Sequence, residues 1–209
     1  MYPLNRKIGR PRSVCCCSTS RAVPCPIPGP ISTPCIVSTA TFSNLSPIVI
    51  PDSGLATPYP SSINVTGLSG GVTQVTVTLI GLTHTFPDDV DVLLVGPQGQ
   101  NVILMSDAGN GFAVNNVILT FNDFAQSLLP DESQIVSGTF QPTNYLGADP
   151  IPVDNFPFPA PPPPYGSALN VFNGINPNGV WNLFVFDDFG QDSGSILGWT
   201  LNITTTFCS

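Results

Sequence analysis

Beyond residue 21 this chain has no lysine and no arginine. Its five cations, Arg6, Lys7, Arg10, Arg12 and Arg21, all precede that point, and all thirteen carboxylates follow it. Phosphate backbones are gripped by clustered Lys and Arg, so the acidic body is not a nucleic-acid binder. Charge of either sign is scarce: 9% of residues are charged against 42% hydrophobic, a balance that belongs to globular chains rather than disordered ones. No apolar run approaches the roughly 18 to 20 residues of a membrane span. The basic start leads into Ser/Cys-rich residues 13–20 and then prolines from Pro24, not an apolar stretch, so no ordinary secretory signal is expected. Histidine occurs once, at His84, which leaves a Ser-His-Asp or Cys-His site a single place to be built. No CxxC pair is present to hold zinc.

What is there divides in two. Residues 1–41 form a basic arm that is rich in cysteine and then punctuated by proline in PCPIPGPISTPC, which forbids helix and favours extended backbone. Residues 42–209 change to short apolar runs separated by Gly, Pro, Asn and Asp. Val75, Val77 and Leu79 alternate with Thr76 and Thr78, the two-residue period of a half-buried strand. Leu197, Trp199, Leu201 and Ile203 repeat the pattern, as do Trp181, Leu183 and Val185. Further strands are expected at 90–95, 102–105, 116–121 and 135–140. About eight short strands without a helical period predict an all-β jelly-roll β-sandwich with an extended N-terminal arm. Proline at every second or third position of 149–166 predicts a stiff surface loop, because proline has no place in a central strand.

Twelve of the thirteen carboxylates are Asp. Partly buried carboxylates need an opposite charge, several hydrogen bonds or a proton. With no Lys or Arg in the body, a bound hard cation is expected, and short Asp side chains on loops suit Ca²⁺.

Two segments carry a resemblance. GLTHTFPDDVDVLLVGPQGQNVIL and NGINPNGVWNLFVFDDFGQDSGSILGWTLNI, with TFNDFAQS and SGTFQP between them, resemble in order and spacing the P domain (P/Homo B) of subtilisin-like proprotein convertases across residues 65–204. The resemblance implies a calcium-associated jelly-roll sandwich that accompanies secreted proteases and also occurs in other extracellular proteins. By motif position it carries Asp89, Asp123, Asp187 and Asp192 over as metal candidates, with Asp88, Asp91 and Asp188 beside them. Asp107 and Asp131 read as ordinary solvated loop carboxylates. His84 falls in the THT segment, which the resemblance makes structural. No protease domain accompanies these motifs, so no enzyme is expected.

Six cysteines, Cys15, Cys16, Cys17, Cys25, Cys35 and Cys208, point to disulfides and an oxidising extracellular or surface setting. Three adjacent cysteines bridge one another badly, so contacts between chains are expected. A basic, cysteine-bearing arm on an acidic body suits docking on the next copy, a head-to-tail contact that propagates. In layout it is similar to the connectors of spore-appendage subunits. The leading expectation is a structural subunit of an extracellular or spore-surface fibre or layer, self-assembled through the arm, disulfide-linked and calcium-stabilised. The alternatives are a calcium-dependent adhesion module using the proline-rich loop and exposed aromatics such as Phe156, Phe158 and Tyr165, and an accessory of a secreted protease.

Overall fold

The computed structural model describes residues 34–145 and 154–208. Within them the chain forms strands and two short 3-10 turns, and no α-helix. Thirteen strands are present, of which eight run for five residues or more and the rest for two or three.

The first sheet contains β1 (Cys35–Asn44), β2 (Ile48–Ile50), β5 (Gly71–His84), β8 (Val114–Phe121), β9 (Gly138–Phe140), β12 (Gly194–Ile196) and β13 (Gly198–Cys208). Its order is β1-β13-β5-β12-β2, with β8 pairing β5 and β9 pairing β8. The second contains β3 (Gly54–Leu55), β4 (Ser61–Val65), β6 (Val90–Val95), β7 (Asn101–Ser106), β10 (Thr143–Asn144) and β11 (Gly179–Asp187), in the order β10-β7-β6-β11-β3 with β4 also on β11. Both are mixed, because β9 joins β8 and β10 joins β7 in parallel while the other pairs are antiparallel. The result is an all-β sandwich.

The alternating runs supply its interior. Val75, Val77 and Leu79 of β5 and Trp199, Leu201 and Ile203 of β13 are buried and meet Leu183, Val185 and Trp181 of β11. Each buried indole finds an acceptor, Trp181 Nε1–H at the Pro177 carbonyl (2.9 Å) and Trp199 Nε1–H at Ser61 Oγ (3.0 Å), so neither costs an unsatisfied donor. The outer face of the first sheet is polar, with Thr76 and Thr78 partly exposed. No carboxylate falls in any of its strands.

The second sheet is apolar on both faces. All six residues of β6, VDVLLV, are buried, since Val92 and Leu94 face the other sheet while Leu93 and Val95 face outward. The proline-rich segment lies over that outer face as a strap. Phe156 and Ala160 pack on Leu93, Val95, Ile103 and Phe184, with Tyr59 and Tyr165 at the margin. Tyr59 Oη–H donates to the Pro157 carbonyl (2.9 Å), and Gly166 exchanges backbone hydrogen bonds with β7 through Ile103 N–H and the Asn101 carbonyl. The stiff loop expected at 149–166 is thus seated on the sandwich where it is described, from Asp154 onward.

Two expectations change, and a third, that the cysteines form disulfides or intersubunit contacts, is resolved for one pair. The boundary after residue 41 falls inside β1, whose ten residues pair with β13 from Cys35 opposite Cys208 to Asn44 opposite Trp199, and the compact unit begins at Thr33. Cys35 and Cys208 form a disulfide within the chain, which removes both from any set of intersubunit thiols. Leu197, which the alternation places first among the inward residues of the last strand, is 51% exposed and lies before β13 begins at Gly198. Cys15, Cys16, Cys17 and Cys25 lie outside the described residues.

Candidate metal centre

Asp91, Asp107 and Asp154 come together at the end of the second sheet, with one oxygen from each inside a sphere where all lie within 4.8 Å of one another. Three separate segments deliver them. Asp91 sits on β6 and is 95% buried. Asp107 follows β7 directly and adopts a left-handed φ of 49°, a conformation Asp tolerates better than most residues. Asp154 lies on the strap. Between them stands Ser106, the last residue of β7, fully buried.

One hydroxyl stands within hydrogen-bond reach of all three carboxylates. Ser106 Oγ lies 2.7 Å from Asp91 Oδ1, 2.9 Å from Asp154 Oδ1 and 3.1 Å from Asp107 Oδ2. A hydroxyl has one proton, so it serves one of the three at a time. Asn144 of β10 adds a donor, its Nδ2 2.6 Å from Asp154 Oδ2. Burial pushes the Asp91 carboxyl well above the usual carboxylate range; the Ser106 hydroxyl opposes this, and the negative charges of Asp154, Asp188 and Asp107 add to it. The donor set is all oxygen, hard and anionic, which fits a hard cation.

The other metal candidates are spread over different tasks. Asp123 accepts two backbone hydrogen bonds, from Leu169 N–H and Asn170 N–H, each 2.7 Å, and so anchors the start of the 3-10 turn Leu169–Phe172 to the end of β8. Asp187 is fully buried and faces His84, Nε2 to Oδ2 3.1 Å. Asp88 accepts from Asn110 N–H at 3.3 Å. Asp89 is buried in the 3-10 turn before β6, and its carbonyl accepts from Asp188 N–H at 3.1 Å. Asp192 stays near Asp187, where its charge adds to the upward pressure on that carboxyl. Of the seven, only Asp91 belongs to the three-carboxylate group.

Asp107 and Asp154 are the residues that sequence reasoning did not select. Asp107 carries a weak local signal, since SDAGN follows a strand and precedes glycine. Asp154 carries none, because its place depends on how the strap lies.

The His84–Asp187 pair joins the two sheets, His84 closing β5 and Asp187 closing β11. Burial pushes the Asp187 carboxyl upward, against the charge and hydrogen bond of His84 and the Phe189 N–H. His84 Nδ1 lies 2.8 Å from the Phe86 carbonyl. The Phe86 N–H donates to the same Nδ1 (3.2 Å), so both ring nitrogens are held, Nδ1 at Phe86 and Nε2 at Asp187. Both side chains are fully buried, so His84 is closed off from any external substrate as a general base.

No protein-family model matches the chain. Among solved structures it is similar to the serine protease of Aeromonas sobria, at 13% identity and a TM-score of 0.39, over 82% of this chain and 27% of that one. It is similar to the same protease in complex with its chaperone, ORF2, at 12% identity, the same TM-score and the same coverage. The chain thus spans about a quarter of the length of the proteins it matches.

Proposed function

We propose that this chain is a calcium-stabilised, non-catalytic accessory or adhesion module of jelly-roll, P-domain kind, working outside the cell or on a surface. One observation carries the reading. Asp91 is 95% buried beside two further carboxylates, in a chain whose residues 22–209 contain no Lys or Arg to neutralise it. A divalent cation held by Asp91, Asp107 and Asp154 relieves that repulsion, and carbonyls and water complete the six to eight oxygens calcium takes. The ion fixes the strap through Asp154 and thereby the apolar layer beneath it. The resemblance of residues 65–204 to the P domain supports the same reading. The intrachain disulfide supports an oxidising setting.

The test is ligand screening with calcium and with chelator, against glycan arrays and against secreted proteases offered for co-purification. Binding that calcium restores supports the module. A protein that binds nothing in either condition contradicts it.

A second reading, the self-assembling structural subunit, is favoured by the count of cysteines. Cys35 and Cys208 satisfy each other, which leaves Cys15, Cys16, Cys17 and Cys25, all in the arm. Ladders on non-reducing electrophoresis that collapse with reductant support it; a single monomer band in both lanes excludes it.

A further inference from the structure

We propose that β1 is a pairing edge for β1 of a second copy, joining two seven-stranded sheets across a two-fold axis. Sheet edges invite pairing, and proteins blunt them with charge, proline, bulges or brevity. Of the other strands that end a sheet path here, β2, β3, β9 and β10 have two or three residues each, and β4, which pairs only β11, has five. β1 has ten, CIVSTATFSN, without a charge, a proline or a register shift against β13. From Ile36 to Thr39 every residue is exposed, with Ile36 and Val37 each at 66%. Among the described residues no strand pairs with its outer side.

The charge distribution selects a second copy as the occupant. Two bodies that each carry thirteen carboxylates and no cation beyond Arg21 repel over most of their surface. The sheet containing β1 has no carboxylate in any strand, so it is where two copies approach at least electrostatic cost. The edge is also self-complementary. An antiparallel pair centred between Thr39 and Ala40 sets Ile36 opposite the second copy's Ser43 and brings its Leu45, 68% exposed, to the Cys35 end. There a groove of about 310 Å³, lined by Ile36, Ser38, Gly67, Leu68, Ser69 and Phe207, is open to receive an aliphatic side chain. Such a contact is isologous and closes at two copies, unlike head-to-tail docking through the arm. It stands whether or not the carboxylate cluster holds a metal.

The test uses the full chain with Cys15, Cys16, Cys17 and Cys25 replaced by serine, which removes the arm thiols and keeps the Cys35–Cys208 bridge. Sedimentation velocity is run over a range of concentrations on this protein, on Val37→Glu/Thr39→Glu in it, and on Thr76→Glu/Thr78→Glu as a control on the same face of a central strand. Circular dichroism checks the fold of each. The expected masses are twice 22.0 kDa for the parent and the control and 22.0 kDa for the edge variant. Slowed amide exchange along β1 in the parent, lost in the edge variant, is expected as well. A monomeric parent at all concentrations, a dimer that survives the edge charges, or open-ended assembly without the arm cysteines overturns the proposal.

Discussion

Replacing Cys35 and Cys208 together by serine opens a loop of large size, because the bridge spans 173 residues of sequence. In the chain-entropy model such a closure removes about 17 cal/mol/K from the unfolded ensemble, or about 5 kcal/mol at 25 °C. The bridge joins opposed residues at the ends of β1 and β13, where the two strands are already in register, so the folded state needs little adjustment when it is lost. Nearly all of the effect is therefore expected in the unfolded state, with a fall in Tm of about 10–20 °C for a domain of this size. Urea unfolding followed by the fluorescence of Trp181 and Trp199, both fully buried, reads the change. The m-value should rise as well, because an open unfolded chain exposes more surface than a closed one. A double-serine variant within about 1 kcal/mol of the parent, with an unchanged m-value, would refute the reasoning.

Three further outcomes are expected. His84→Ala strands a fully buried Asp187 carboxylate and should cost about 3–5 kcal/mol in urea unfolding, whereas Asp187→Asn, which keeps a hydrogen-bonding group without the charge, should cost clearly less; equal losses would contradict the assigned pairing. Tyr59 is held above the ordinary tyrosine value first by burial under the strap and then by the charges of Tyr165 and Asp91. A group with a raised folded pKa contributes stability that is complete below its unfolded value, about 10, and is lost as pH climbs beyond it. Stability should fall above pH 10, with Tyr59 ionising late in an ultraviolet titration; Tyr59 titrating near 10 would show that the strap does not cover it. Gly194→Ala places a methyl against the Thr83 carbonyl and the His84 backbone, which cannot give way, so it should lower Tm by several degrees or block folding.

The alternating residues were legible because burial on one face of a strand is a local property: Val75, Val77, Leu79, Trp199, Leu201 and Ile203 are all interior. β1 was not, since CIVSTATFSN follows directly on proline-rich sequence and its partner strand lies at the far end of the chain. Ile135 is buried without belonging to a strand; its side chain packs against Gly109, a contact that no local period announces. The same limit applies to the site. Asp91 was selected through its neighbours in a motif, but its grouping with Asp107 depends on the register shift between β6 and β7 near Val92, and its grouping with Asp154 depends on the path of the strap. Asp123 shows the reverse case: a carboxylate in a motif position whose oxygens are both taken by backbone N–H groups.

Calorimetric melting of the full chain in about 10 mM calcium and in chelator, for the parent and for Asp91→Asn, bears most directly on the metal site. That concentration is about a hundredfold above the tighter dissociation constants of extracellular calcium modules, which corresponds to about 2.7 kcal/mol of stabilisation. The parent should melt about 5–10 °C higher in calcium. Asp91→Asn removes a buried charge, so it should melt at or above the parent in chelator and gain nothing from calcium. A parent that melts at the same temperature in both, or an Asp91→Asn variant that keeps the full calcium shift, contradicts the account.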